Sequence, residues 1–327
     1  MTKFLTFGET MGQYNADFIG VYGDEGAYML DCAGAESNVA VGLQKLGISG
    51  VEAVWVSRLG DDEAGKFVLD ELEGRISVRA QGYDGENTGI SYLNHHIDGE
   101  HFKTYFRNGS AASRLTFADV QPHLQDADIL HVTGITPALS GACHDAVMQA
   151  MQHARDSAIT VSFDLNYREQ LWSPAECRPI FERMAKYADI FKLGHDEAEA
   201  IWGWNWSAEE YASYFQVMNG GLVVVTRGME GAVAFDGANL LRHSGYTVDV
   251  VDPVGAGDAF VAGMLGGILE WTDARCYLRL DAAVRAPMLE HALEVANVCG
   301  ALTCTRHGDT AAMPSMPEVR EFVAANR

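Results

Sequence analysis

"VDVVDPVGAGDAFVAGML" (Val248–Leu265) sets Gly255, Gly257 and Asp258 at the junction of two apolar runs. The run ahead of it, roughly "YTVDVVD", has strand character and stops at Pro253. The run behind it, "DAFVAGMLGGIL", has the spacing of a helix that begins near Gly257–Asp258. The two glycines let the backbone turn tightly, so successive amides can point together at the start of that helix. Such unpaired donors, reinforced by the helix dipole, form an anion site suited to a phosphate. Asp258 then has two readings. It is an N-cap carboxylate, or it is a base that accepts a proton from a hydroxyl attacking the bound phosphate. Asp252 is likewise either a turn residue or a group that helps hold a metal ion. Spacing alone leaves both choices open.

The rest of the chain supplies the setting. Its 327 residues, 48% of them hydrophobic, suffice for one large domain with a small appendage. A formal charge of -22 argues against nucleic acid as a partner, since no excess of Lys and Arg exists to neutralise phosphates. Any anionic ligand must be held locally, by helix N-termini and a few arginines. The opening "MTKFLTFGET" is too short for a signal sequence, and no apolar stretch approaches the ~20 residues of a membrane span. The six cysteines are scattered, without CxxC or zinc-like spacing, and Cys299 and Cys304 read as helix packing. A reduced cytoplasmic protein is expected.

Short apolar runs, "FLTFGE" (4–9), "VEAVWVSRLG" (51–60), "ADILHVTG" (127–134), "ITVSFDLN" (159–166), "ADIFKLG" (188–194) and "GLVVVTRG" (221–228), read as buried strands. Most lead into segments with helical spacing, which predicts an α/β domain with a mainly parallel sheet. Ligands of such sheets sit beyond the carboxyl ends of the strands, where "GE", "TG", "DLN" and "TRG" collect. Residues 13–33 and 87–110 break the rhythm with polar–apolar alternation and no intervening helix. "HIDGEH" supplies an Asp-Gly turn for a hairpin in the second. The expected division is a core of 1–12, 34–86 and 111–327 with a β-lid of 13–33 and 87–110 over the crevice. Ordinary surface hairpins are the alternative.

"DPVGAGDAF" resembles the C-terminal signature of the ribokinase-like (PfkB) carbohydrate kinases, and "GAESNVAVGLQKLG" (34–47) with "RLGDDEAG" (58–65) resembles their N-terminal one. The two lie in the family's order and span nearly the whole chain. The resemblance implies a three-layer αβα core with a β-lid, and a magnesium-dependent, ATP-using kinase acting on a hydroxymethyl group. It implies that Asp258 is the catalytic base, with the amides of Gly255, Ala256 and Gly257 as the anion hole. Gly34 and Asn38 take the place of sugar contacts, Gly34 by letting the backbone approach the substrate. Asn38 also reads as a helix-start residue satisfying backbone groups. Thr226, Gly228 and Gly231 of "TRGMEG" resemble the nucleotide-lining segment, and Asn166 is placed with them. Glu197 fits the Glu of an Asn-x-x-Glu element that orients metal-bound water, but Gly194 stands where Asn is usual.

In "FKTYFRNGSAAS", Tyr105 and Arg107 are two apart on a strand and share a face. With Arg168, which follows "VSFDLNY", Arg107 offers planar charge-assisted donors for a carboxylate; both could instead pair with acidic neighbours. "YFRNGSAAS", "LHVTGITPALS" and "VSFDLNYREQLWSP" together resemble the family's 2-keto-3-deoxygluconate kinases, which phosphorylate the terminal hydroxyl of a six-carbon keto acid. Fructokinases and a non-catalytic sugar-binding regulator are the rival readings. Whether Ser91 or Tyr92 faces the substrate depends on strand register. Apolar residues of the lid, Phe102 and Phe106 or Tyr28 and Leu30, suggest a homo-oligomer.

Overall fold

The computed structural model describes residues 1–20, 26–95 and 101–326. β1 (Thr2–Phe7) is followed by β2 (Met11–Ile19) and β3 (Tyr28–Ala33). β4 (Val51–Gly60) and β5 (Ser77–Tyr83) come next, then the hairpin strands β6 (Ile90–His95) and β7 (His101–Phe106). The second half supplies β8 (Ile129–Thr133), β9 (Thr160–Asp164), β10 (Ile190–Gly194) and β11 (Leu222–Thr226). β12 (Ala232–Phe235) and β13 (Leu240–His243) end the series.

The larger sheet runs β13-β12-β11-β10-β9-β8-β1-β4-β5. Pairing is parallel from β11 to β5; β12 alone runs against the rest, pairing antiparallel with β11 on one side and β13 on the other. Helices cover both faces, which is why β8 and β9 are buried along their whole length and carry no polar–apolar alternation. One core layer gathers Val132, Phe163, Phe181, Phe191 and Phe215; the opposite layer gathers Phe4, Leu43, Trp55, Phe260 and Leu289. The architecture is the expected αβα sandwich.

β3-β2-β6-β7 make a separate four-stranded sheet. β2 pairs parallel with β6, and the outer pairs are antiparallel. The Asp-Gly turn of "HIDGEH" lies outside the described residues. Register answers the Ser91 question: Ser91 is directly opposite Tyr105, so the two share a face, whereas Tyr92 is opposite Thr104. Tyr92 stacks on Tyr14 at 4.9 Å and packs edge-on to Tyr28 and Phe106 on the other side of the sheet.

The helix Ala256–Leu269 has Gly255 as its N-cap and so starts about a residue or two earlier than the Gly257–Asp258 expected from the sequence. The run before it does not form a strand. Val251 and Asp252 both send their N–H to the Cys304 carbonyl at a helix end, and Val250 is largely exposed. Glycine fixes where the helix lies. A Cβ on Gly263 would come within 2.8 Å of Ala296 Cα, and one on Gly267 within 2.6 Å of Ala292 Cα, both on the helix Ala282–Cys304. On its other side, Gly42 of the helix Ala35–Lys45 would meet Ala262 at 2.9 Å. These close crossings bring two helix N-termini, carrying Asn38 and Asp258, to one point. All six cysteines are free, and no described helix is long and apolar enough to cross a membrane.

Candidate active site

A crevice in three connected compartments lies beyond the carboxyl ends of the parallel strands. The first, about 350 Å³, is walled by apolar groups including Val248, Pro253, Phe260 and Ala301. The second, about 440 Å³, is polar and holds Asn166, Lys192, Glu197, Gly257 and Asp258. The third, about 80 Å³, is lined by Gly34, Asn38, Arg107, Arg168, Asp258 and Asp309. Thr226, Gly228 and Gly257 are common to the first two; Tyr105, Arg168, Gly255 and Asp258 are common to the last two. Strand order reverses between β1 and β8, and Glu9 and Ile135, just past those strands, both line the third compartment. The smallest compartment thus occupies the switch point of the sheet, the usual ligand position in such folds.

Asp258 stands at the junction. Asn38 Nδ2 donates to its Oδ2 at 2.8 Å, and Asn166 Nδ2 approaches its Oδ1 at 3.4 Å. Asn166 takes a left-handed backbone, φ 41°, to do so. Burial pushes the Asp258 carboxyl up to about 7; Asp164 and Asp309 add to the rise, against the Asn38 hydrogen bond and the Arg168 charge. Asp258 therefore lies within the helix's first turn, and Gly255, not Asp258, is the N-cap residue. Gly255 has φ 79°, a left-handed backbone that strains any side chain, and an added Cβ would sit a tight 3.2 Å from the Asp309 backbone. The Ala256 amide makes a 3.3 Å turn bond to the Pro253 carbonyl. Gly257 and Asp258 supply the first-turn amides that have no carbonyl one turn back to receive them.

The expected acceptor residues converge, with two differences from the sequence reading. Gly34 lines the compartment, but its missing side chain is explained by packing: a Cβ there would fall 2.5 Å from the Glu9 carbonyl and the Thr10 hydroxyl. Arg107 reaches the compartment while ion-paired with buried Glu9 at 2.6 Å, so both readings of this arginine hold at once. Arg168 is exposed at the rim, its Nη1 on the Tyr167 carbonyl at 3.2 Å. Tyr105 spans the second and third compartments.

Thr226 and Gly228 line the route from the apolar to the polar compartment. Gly231 lines the apolar one in a left-handed turn, φ 83°, packed so closely on the His243–Gly245 backbone that no Cβ fits. Asp252 does not line these compartments. Its Oδ1 accepts the Val254 N–H at 3.0 Å, so it shapes the turn, and its expected metal role finds no contact here.

Glu197 does line the polar compartment, but each of its oxygens accepts a backbone N–H at 2.7 Å, from Tyr167 and from Gly194. A Cβ on Gly194 would lie 2.8 Å from that carboxylate as it stands, so a larger residue here would require the Glu197 side chain to shift. Among the described residues no cluster of three metal-ligating side chains forms. The residues present fit a Mg²⁺ held mainly by nucleotide phosphates and water, as Mg²⁺ commonly is.

Four further residues belong to the crevice. Asp309 is 3% exposed, shares Asn38 Nδ2 at 3.2 Å, and has Oδ1 without a partner. Burial pushes its carboxyl up to about 6. Lys192 pairs with Asp164 at 3.0 Å beside the helix N-terminus; burial opposes its charge, but Asp164, Glu197 and Asp258 outweigh that and raise its pKa. Lys103 joins Tyr105 and Arg107 on the inner face of β7, and Glu9 anchors Arg107. The alternation that pairs Tyr105 with Arg107 also points to Lys103, and Glu9 is part of the polar tip of the first strand. Asp309 and Lys192 carry no local signal.

Residues 1–316 match the profile of the pfkB family carbohydrate kinases. The 2-dehydro-3-deoxygluconokinase of Bacillus subtilis (strain 168) is 34% identical over 99% of this chain and 96% of its own length. A probable fructokinase-2 of Arabidopsis thaliana is 31% identical, covering 98% and 95% of the two chains. A crystal structure of a fructokinase with bound ATP from Xylella fastidiosa superposes with a TM-score of 0.80 at 25% identity, over 99% of this chain and 98% of that one. With its two signatures meeting at one crevice, the chain belongs to the pfkB family of carbohydrate kinases.

Proposed function

We propose that the protein transfers the γ-phosphoryl group of ATP to the terminal hydroxyl of 2-keto-3-deoxygluconate (the 2-dehydro-3-deoxygluconate of its relative's name), giving 2-keto-3-deoxy-6-phosphogluconate. The observation that carries the substrate is the placing of Arg107 and Arg168 around a small compartment in a chain of net charge -22. The apolar compartment suits a purine, and the polar one suits the triphosphate. The keto acid's carboxylate lies on the arginines, Asp309 Oδ1 accepts from one of its hydroxyls, and the terminal hydroxyl faces Asp258. An Asp with a pKa near 7 is well matched to accept a proton at neutral pH. The amides at the helix start take up charge on the transferring group. Mg²⁺ supplies neutralisation of the phosphate oxygens, with Glu197 the carboxylate placed to hold its water. The small sheet excludes water when it closes over the acceptor.

A panel of acceptors followed by ADP release tests the substrate. The keto acid and its C4 epimer are expected to exceed fructose and ribose in kcat/KM by at least tenfold. Preference for fructose would instead support the fructokinase reading that the Arabidopsis relative favours. Binding without turnover of any acceptor would favour a regulator.

We also propose a cytoplasmic homo-oligomer. Leu30, Phe102 and Phe106 are 43%, 59% and 60% exposed on the outer face of the small sheet, a site suited to self-pairing. Sedimentation equilibrium is expected to give at least twice the chain mass; a monomer at micromolar concentration would discard the pairing.

A further inference from the structure

Four lysine and arginine residues that line the polar and acceptor compartments differ in how their charge is met. Arg107 pairs with Glu9, Lys192 pairs with Asp164, and Arg168 donates to a backbone carbonyl. Lys103, half-buried on β7, has no carboxylate within ion-pair distance among the described residues; its Nζ lies 5.8 Å from the Tyr105 ring centre. Two carboxylates, Asp309 and Asp258, attract it, and two guanidiniums, Arg168 and Arg107, repel it. Burial, reinforced by those guanidiniums, holds its ammonium below the ordinary lysine value. A cation without a carboxylate partner beside two others is unfavourable until an anion arrives.

The reaction brings two anions, a carboxylate and a phosphoryl group. Position separates them. Arg107 lines the acceptor compartment but not the polar one; Lys103 and Arg168 line both, at the rim that also carries Asp258 and Gly255, and of these two Arg168 is exposed while Lys103 is half-buried under the small sheet. Asp258 marks where the attacking hydroxyl must be, so a cation on that rim stands beside the phosphorus.

We propose that Lys103 is a catalytic residue, contributed by the small sheet, that binds the transferring phosphoryl group. This rests on the reading of the chain as a kinase with Asp258 as base, but not on the identity of the acceptor. In the step, the acceptor oxygen forms its bond to the γ-phosphorus as the bond from phosphorus to the β,γ-bridging oxygen breaks. ADP leaves with that electron pair, and Asp258 takes the hydroxyl proton. Lys103 exchanges no atom; it offsets charge spread over the non-bridging oxygens.

Lys103→Met keeps the length of the side chain and removes its charge, and Lys103→Gln checks that the loss does not depend on one replacement. With whichever acceptors the wild type turns over, both variants are expected to lose about 10² in kcat. Their KM for the acceptor and Kd for Mg²⁺-ATP stay within about threefold, and Lys103→Arg recovers most of the rate. The loss in kcat is expected to be equal for acidic and neutral acceptors. A kcat within threefold of wild type in either neutral variant overturns the proposal. So does a loss confined to the KM of acidic acceptors, which would make Lys103 a carboxylate ligand. If the keto acid proves not to be the acceptor, the same measurement runs on the acceptor that is, so the two failures are separable.

Discussion

Asp258→Asn is expected to lower kcat by about 10³ while Mg²⁺-ATP still binds within a few-fold of wild type. The amide keeps the shape and can keep the 2.8 Å hydrogen bond from Asn38, but it cannot take a proton. The apolar compartment proposed for the purine is walled by groups that the change does not touch. Full activity in the variant would remove Asp258 from the chemistry. A pH dependence accompanies it. With the carboxyl raised to about 7, the wild type loses its base as pH falls below that value, so kcat/KM for the acceptor at saturating Mg²⁺-ATP is expected to fall about tenfold per unit there. A flat profile from pH 5.5 to 8 would contradict this.

Stability should move the opposite way. A buried carboxyl whose pKa rises from 3.8 to about 7 favours the folded state when protonated, and that advantage is lost as pH climbs through the interval. The loss is at most roughly 4 kcal/mol. The ligand-free Asp258→Asn variant is therefore expected to melt several degrees above wild type at pH 8 and to lose that lead toward pH 5. A catalytic group that costs stability where it works is the ordinary trade-off of an active site.

The legibility of this chain follows the range of its interactions. The parallel sheet could be read because β8–β11 are short apolar runs at regular intervals, and each is buried by helices written next to it. Gly255 and Asp258 were legible because a positive φ and a helix start leave a local trace. Arg107 was legible only as a residue facing inward; that Glu9, almost a hundred positions earlier, holds it depends on packing between the two sheets. Asp309 arrives from near the C-terminus to share Asn38 with Asp258, a juxtaposition that no periodicity encodes. The segment before Gly255 was misread because Val248, Val250 and Val251 alternate like a strand. Two of these valines line the apolar compartment instead, and Val251 is partly exposed. Apolar side chains that serve a ligand give the same pattern as those that serve a core. Gly34 carries a mixed signal: glycine marks a close approach, and the Glu9–Thr10 segment is one group that makes it, at the edge of the acceptor compartment.

The Glu9–Arg107 pair also decides how the acceptor assignment can be tested. Arg107→Ala alone would strand the Glu9 carboxylate, which is 3% exposed. Breaking a buried pair from one side costs about 3–5 kcal/mol, enough to confuse lost binding with lost folding. Glu9→Gln in the same chain removes the stranded charge and leaves an amide oxygen for the Ser110 hydroxyl, which donates to Glu9 in the wild type at 2.5 Å. In that double variant kcat/KM for the keto acid is expected to fall about 10², the value of one or two charge-assisted hydrogen bonds to a carboxylate. A neutral ketohexose, tested at high concentration, is expected to change less than threefold, because it presents no carboxylate to lose. Equal losses for both acceptors would mean that Arg107 shapes the compartment rather than reading the acid. A retained preference for the acid would pass the role to Arg168, whose guanidinium is exposed at the rim and has no ion-pair partner among the described residues.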